Sequence, residues 1–211
     1  VEARAAEDPV RRAGLRVLEE TQGSTTRRPP HVPAPRHRRR PAIGWREEGI
    51  KIMQERKIDG LHTIYNLLEQ EPGRDFFPIA EEHQVGILVR VPHSSGMLEG
   101  QYTKDTKFSE TDHRSHRPKS WLIEGLQKIE RLKFLTDETG RTSAQAALKF
   151  ILTQPSLVTV LPNIYNEEQL KEFATACETP DLTSSELKQI DELYRNNFYI
   201  APYEEKQEVS S

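Results

Sequence analysis

Two stretches of this 211-residue chain group side chains that could do chemistry. Asp112-His113-Arg114-Ser115-His116 brings two imidazoles and a carboxylate together, the donor types of a metal site or of acid–base catalysis. No further ligand follows at a metal-site spacing and the surrounding stretch is polar, so solvated charge is the favoured reading and no metal is expected. Arg36, Arg38, Arg39 and Arg40 form a cationic run that could replace counterions on a nucleic acid. No aromatic residue is interleaved there for base stacking, and the rest of the chain is acidic, which disfavours nucleic acid as a partner. No GxxxxGK phosphate loop, nucleophile elbow, CxxC pair or fixed-period repeat occurs. Cys177 is the single cysteine, which excludes an internal disulfide and a cysteine-based zinc cluster. A reduced, cytoplasmic setting is the resulting expectation.

The elements that must position any site begin only after an abrupt change in composition. Residues 1–40 hold ten arginines, no lysine and five acids, a formal net of +5, whereas residues 41–211 carry −8. The leading segment also contains Pro29, Pro30, Pro33 and Pro35 and few apolar residues after Thr21, so it reads as a disordered arm that cannot offset its ordering entropy by burial. A fragment or a misjoined reading frame would produce the same shift. The apolar share of 35% is low for a soluble domain. No run approaches the ~18 apolar residues of a membrane span.

From Pro41 onward the periodicities are those of a packed α/β protein. Glu47 to Arg56 places Ile50 and Met53 at helical spacing, and Leu61 to Tyr65 reads as a short strand closed by Asn66. A helix is predicted from Asp75 to His83, then a strand from Val85 to Val91 whose continuous apolar centre implies burial on both faces. Residues 93–118 read as a long polar loop, followed by an amphipathic helix carrying Leu122, Leu126, Ile129, Leu132 and Leu135. Thr142 with Gln145, Asn166, and Thr183 with Glu186 mark three further helix starts, the second running to about Cys177, and Val158 to Leu161 reads as a third strand. The tail after Ala201 is expected to fray. Strands alternating with helices imply right-handed βαβ units and a parallel sheet, open or closed into a barrel. Ligands then bind at the carboxyl ends of the strands, at Tyr65-Asn66, at Pro92 to Gly96 and at Pro162-Asn163-Ile164.

Those strand ends also carry a resemblance. Leu61 to Leu68 (LHTIYNLL), Val85 to Pro92 (VGILVRVP) leading to Gly96-Met97-Leu98-Glu99-Gly100-Gln101-Tyr102, Thr142 to Leu148 (TSAQAAL), then Val160-Leu161-Pro162-Asn163 and Asn166 to Leu170 (NEEQL) resemble the later units of an aldo/keto reductase. The resemblance covers residues 41 to 198. It implies a partial (β/α)8 TIM barrel of the aldo/keto reductase type, here its later βα units only, with NADP(H) or NAD(H) as cofactor and a small-molecule carbonyl as substrate. The expected organisation is a disordered arm (1–40), a half barrel (41–200) and a frayed tail (201–211).

The resemblance also implies roles, residue by residue. Ser94, Ser95, Gly96 and Leu98 fall where the family's loop bonds the cofactor's pyrophosphate. Arg90 stands where many members stack an aromatic ring on the nicotinamide, and a planar guanidinium can stack there too. His62 replaces a glutamine that bonds the carboxamide. Asn163, Ile164, Tyr165 and Gln169 occupy the adenosine-phosphate end without the cation that NADPH-preferring members use, while Glu172 matches a position near the adenine and Phe173 replaces an asparagine. Hydride transfer further requires a proton donor for the developing alkoxide, for which the family uses a tyrosine assisted by lysine, aspartate and histidine. No stretch of residues 1–60 resembles those motifs, since no tyrosine precedes Tyr65 and no lysine precedes Lys51. No catalytic residue is assigned, and the chain is expected to be inactive alone. The other reading is a non-catalytic dinucleotide-binding or protein-interaction module that associates through open sheet edges.

Overall fold

A computed structural model describes residues 42–55 and 58–203. Helix α1 (Ala42–Glu55) precedes strand β1 (Gly60–Ile64), helix α2 (Gly73–His83) and strand β2 (Gly86–Arg90). A long connection containing two 3-10 turns, Met97–Glu99 and His113–His116, leads to helix α3 (Lys119–Arg131). Helix α4 (Ser143–Leu152), strand β3 (Leu157–Leu161), helix α5 (Glu167–Ala174) and helix α6 (Ser184–Arg195) follow. The predicted arm at 1–40 and the tail beyond Tyr203 lie outside the described residues. The start of that tail is tied down, because the Tyr203 N–H donates to Glu124 Oε1 at 2.9 Å.

The three strands form one parallel sheet in the order β1-β2-β3. β1 and β2 pair from Gly60 with Gly86 to Ile64 with Arg90. β3 bulges at Val158, since Ile87 pairs with Leu157 but Leu88 with Thr159. Gly86 is required beside this bulge, where a Cβ would run into the Val158 side chain. Ile87 and Val89 of β2 are fully buried in one core with Phe76, Phe77, Ala80, Ala147 and Ile151. Burial of each of the larger side chains, Phe76, Phe77, Ile87, Val89 and Ile151, contributes roughly 1.5–3 kcal/mol.

The expectation that β2 is covered on both faces needs correction. Leu88 is only half-buried and Arg90 is exposed, because the helices pack on the opposite side, where alternate residues point. The uncovered face carries His62 and Ile64 of β1, Leu88 and Arg90 of β2, and Thr159 and Leu161 of β3, with Leu161 45% exposed and Val158 at the bulge 67% exposed. A second correction concerns Tyr65. Instead of facing a ligand it lies in the core, edge-on to Phe77 at 4.9 Å and stacked on Phe150 at 5.2 Å.

The predicted helix starts are built as their residue types require. Thr142 and Gln145 bond each other's backbone N–H groups in a capping box, Thr183 and Glu186 do the same, and Asn166 Oδ1 accepts the Gln169 N–H at 2.8 Å. Helix α5 ends at Ala174, short of the expected Cys177, and continues as a 3-10 turn over Thr175–Glu178. The Thr175 hydroxyl donates to the Lys171 and Glu172 carbonyls there, competing with regular helix bonding.

Candidate functional site

The loop leaving β2 departs from ordinary backbone geometry. Val91, Ser94 and Ser95 have φ of 57°, 49° and 58°, and Gly96 follows at 88°. Such left-handed conformations are rare for residues with a Cβ and collect where backbone must be presented. Here they turn the chain so that the N–H groups of Ser94, Met97, Leu98 and Glu99 are taken up by the carbonyls of Val91, Ser94, His93 and Gly96. The N–H groups of Ser95 and Gly96 find no acceptor among the described residues. Gly96 is doubly constrained, by its φ and by the Tyr102 hydroxyl lying where its Cβ would project.

Beside these donors lies a cleft of about 500 Å³, open mouth included, lined by Pro92, His93, Ser95, Gly96, Glu99, His113, Arg114, Asn163 and Tyr165. The strand ends of β2 and β3 thus meet in one place, with a wall from the long connection. Arg114 organises that wall. Its guanidinium bonds Asp112 through Nε at 2.9 Å and 3.0 Å, reaches the Tyr102 hydroxyl and the Ser95 carbonyl, and covers the Phe108 ring at 4.9 Å. Asp112 also caps the 3-10 turn by accepting the Arg114 N–H at 2.9 Å. The Arg114 bonds hold the Asp112 carboxyl down to about 2. Asp112 to His116 is therefore a built corner of the cleft and not merely solvated charge, although His113, Ser115 and His116 are exposed. No group of three metal-ligating side chains occurs among the described residues.

The floor is polar and buried. His93 is 3% exposed, its ring tilted against Phe173 at 4.4 Å, and Nδ1 lies 3.6 Å from Glu99 Oε1. Neither ring nitrogen has a close hydrogen-bond partner, and burial pushes the imidazole down to about 4, with a weaker opposing interaction from the Ala144 backbone. Glu99 is raised above the usual carboxylate range by burial, against the lowering effect of a bond from Gln169. That bond runs from Gln169 Nε2 to Glu99 Oε2 at 2.8 Å, while Gln169 Oε1 accepts the Tyr165 N–H at 2.9 Å.

The structure brings Ser95, Gly96, Asn163 and Gln169 to this cleft or its floor. The other five assigned residues lie outside it. The Ser94 hydroxyl donates to Glu69 Oε2 at 2.9 Å inside a buried network in which Asn66 Nδ2 also donates to Glu69 and to the Val91 carbonyl, so Asn66 braces the loop from behind. Leu98 is buried and serves packing. Glu172 is half-buried on α5, its carbonyl accepting Gln145 Nε2 at 3.1 Å, and its charge acts on Glu99. His62 and Arg90 share the open face of the sheet. From sequence, Glu99 was not singled out for the site and Asp112 and Arg114 were read as solvated charge, since all three lie in a polar loop whose charge pairing depends on how it folds back.

The residues present fit the diphosphate part of a dinucleotide, through the free N–H groups of Ser95 and Gly96 at the strand end. A sequence model described as "Aldo/keto reductase family" matches residues 42–195. The chain is 31% identical over 122 residues to aldo-keto reductase YhdN of Bacillus subtilis, covering 54% of this chain and 37% of that one. The glycerol dehydrogenase AKR11B4 from Gluconobacter oxydans superposes with a TM-score of 0.58 at 24% identity, over 69% of this chain and 46% of that chain. An aldo/keto reductase from Klebsiella pneumoniae, solved in complex with NADP and acetate, superposes with a TM-score of 0.51 at 18% identity, over 70% of this chain and 44% of that chain. The chain thus spans less than half the length of each of these proteins, and both structural likenesses are of the TIM-barrel type of fold. With the family match running from the first described helix to the end of α6, this chain belongs to the aldo/keto reductase family.

Proposed function

We propose that this chain supplies the cofactor-binding, later βα units of an NAD(P)H-dependent oxidoreductase that reduces carbonyl compounds. The observation that carries this reading is the left-handed run Ser94-Ser95-Gly96, which leaves two N–H donors unused at the end of β2 beside the cleft. Those donors would hold the diphosphate, Arg90 and His62 on the open sheet face would flank the nicotinamide, and Asn163, Gln169 and Glu172 would border the adenosine. When bound, the dinucleotide supplies the hydride. Among the described residues, none matches by resemblance the tyrosine that the family uses to protonate the alkoxide. Tyr65 is packed in the core with its hydroxyl pushed up by burial, Tyr102 bonds the Ser95 carbonyl and Arg114, and Tyr194 accepts the Gln70 N–H. The 211-residue chain is accordingly inactive alone.

Calorimetric titration of the chain with NADH and NADPH tests the reading. Saturable micromolar binding of either supports it, and no binding at millimolar dinucleotide overturns it. Cofactor-dependent turnover of an aldehyde or ketone by the purified chain would refute the inactivity. The uncovered face, with Val158 and Leu161 exposed, favours one companion role, that of receiving the five earlier βα units of a complete barrel against the edges of this sheet.

A further inference from the structure

We infer that the hollow where the long connection meets the start of α3 is a second binding site, one that takes a small aromatic phosphate ester. It does not depend on the dinucleotide reading, since it shares only Arg114 with the lining of the cleft after β2. The hollow encloses about 1050 Å³, open mouth included, ample for a ligand of one or two rings. Four exposed cations line it, Lys104, Lys107, Arg117 and Lys119. Among the described residues, none of the four side chains takes part in an ion pair or a hydrogen bond. Against them stands one acid in the lining, the exposed Asp105, and the first turn of α3 adds no other. Arg114 is already matched by Asp112. Cations gathered round a concavity repel one another and focus a positive potential into it, which an entering anion relieves. The excess is local, because residues 41–211 as a whole carry −8, so a compact anion fits and an extended polyanion does not.

The floor accounts for the aromatic half of the ligand. Phe108 and Trp121 are half-buried, their rings 6.2 Å apart and tilted by 54°, and buried Leu122 joins them in the lining. Phe108 is held in place, with Tyr102 edge-on at 5.3 Å and the Arg114 guanidinium over it at 4.9 Å, itself bonded to Asp112. The Arg117 guanidinium lies over the Trp121 ring at 5.4 Å, and a stacked guanidinium keeps its N–H edge for an oxygen acceptor. A flat ring set on this floor covers apolar surface that is already ordered, while its phosphate meets the lysines and Arg117. A phosphate dianion matches the excess of cations better than a single carboxylate does.

Isothermal titration of the full chain with phenyl phosphate, inorganic phosphate and benzyl alcohol at neutral pH tests both halves. Phenyl phosphate binds one per chain and at least about tenfold more tightly than either of the others, because only it uses the floor and the cations together. Arg117→Met and Lys107→Met, both exposed, each weaken it by about fivefold or more, with the fold checked by circular dichroism. Lys188→Met, on α6 and outside the hollow, leaves it unchanged. No saturation at millimolar phenyl phosphate overturns the site. Inorganic phosphate binding as tightly overturns the aromatic half, and benzyl alcohol binding as tightly overturns the anionic half. Affinity that Arg117→Met and Lys107→Met leave unchanged, or that Lys188→Met lowers equally, overturns the assignment to this hollow.

Discussion

His93 shows how a single buried side chain couples this cleft to pH. Its imidazole is held neutral by burial, with a folded value of about 4 against the ordinary 6.5. The unfolded chain therefore takes up the proton first, so stability is intact above pH 6.5 and is lost as pH falls from 6.5 towards 4. The loss is up to about 3 kcal/mol at the lower end of that window. Glu99 works in the opposite sense, because its raised carboxyl contributes stability at low pH that fades as pH rises through its folded value, and it offsets part of the change. Melting temperatures measured across this range should fall on acidification. In His93→Phe, which keeps a ring against Phe173 and removes the titration, the curve should be flatter; an unchanged slope would place the titrating group elsewhere. The helix-capping residues Thr142, Asn166 and Thr183 were legible from sequence because a cap is a local device, closed within four residues. The ring that packs on His93 was not, since Phe173 comes from a segment remote in sequence.

Among the elements, the turns joining helices are as firmly built as the sheet. Arg141, buried just before α4, donates to the carbonyls of Leu135, Pro180 and Asp181 and pairs with Glu186 in the first turn of α6. It thereby fastens the turn after α3 to the turn before α6. Arg141→Met keeps the apolar stem but strands several buried acceptors, and should cost about 3 kcal/mol in a urea denaturation experiment. A loss well under that would mean water replaces the guanidinium. Lys149, an interior residue of α4, is buried for a related reason, donating to Asp181 Oδ1 at 2.8 Å and to the Cys177 carbonyl at 3.2 Å. Sequence periodicity found the helices and strands in their order because apolar spacing records which side of each element is covered. It overstated the cover on β2, where Ile87, Leu88 and Val89 are adjacent in sequence and alternate between a packed and an open face.

Across the whole molecule, the described residues form a three-stranded parallel sheet with one face open, in a chain that covers 46% of a relative with a TIM-barrel type of fold. Barrel closure needs eight strands with matched tilt and stagger. The companion role proposed above then has a direct consequence. Mixing this chain with a separately expressed polypeptide carrying five aldo/keto reductase-type βα units and the tyrosine, lysine, aspartate and histidine should give a stable heterodimer by light scattering and restore cofactor-dependent carbonyl reduction. Two monomers that stay apart in that mixture would defeat the idea. Residues Val158, Leu161 and Arg90 would become buried on assembly, measurable as slowed hydrogen exchange in β2 and β3.

By itself, the amino-acid order determined the α/β alternation, the helix caps, the family and the strand ends where a ligand site would lie, because each of these is written in local spacing or in short contiguous motifs. Only the tertiary structure decided which of the strand-end residues share a cleft. It sent Tyr65 into the core and Ser94 to Glu69, turned Arg114 back against Asp112 and Tyr102, and set Glu99 between His93 and Gln169. The physical reason is that charge pairing and burial depend on how the chain folds back on itself, in most of these cases across segments far apart in sequence, and no local pattern records those distances.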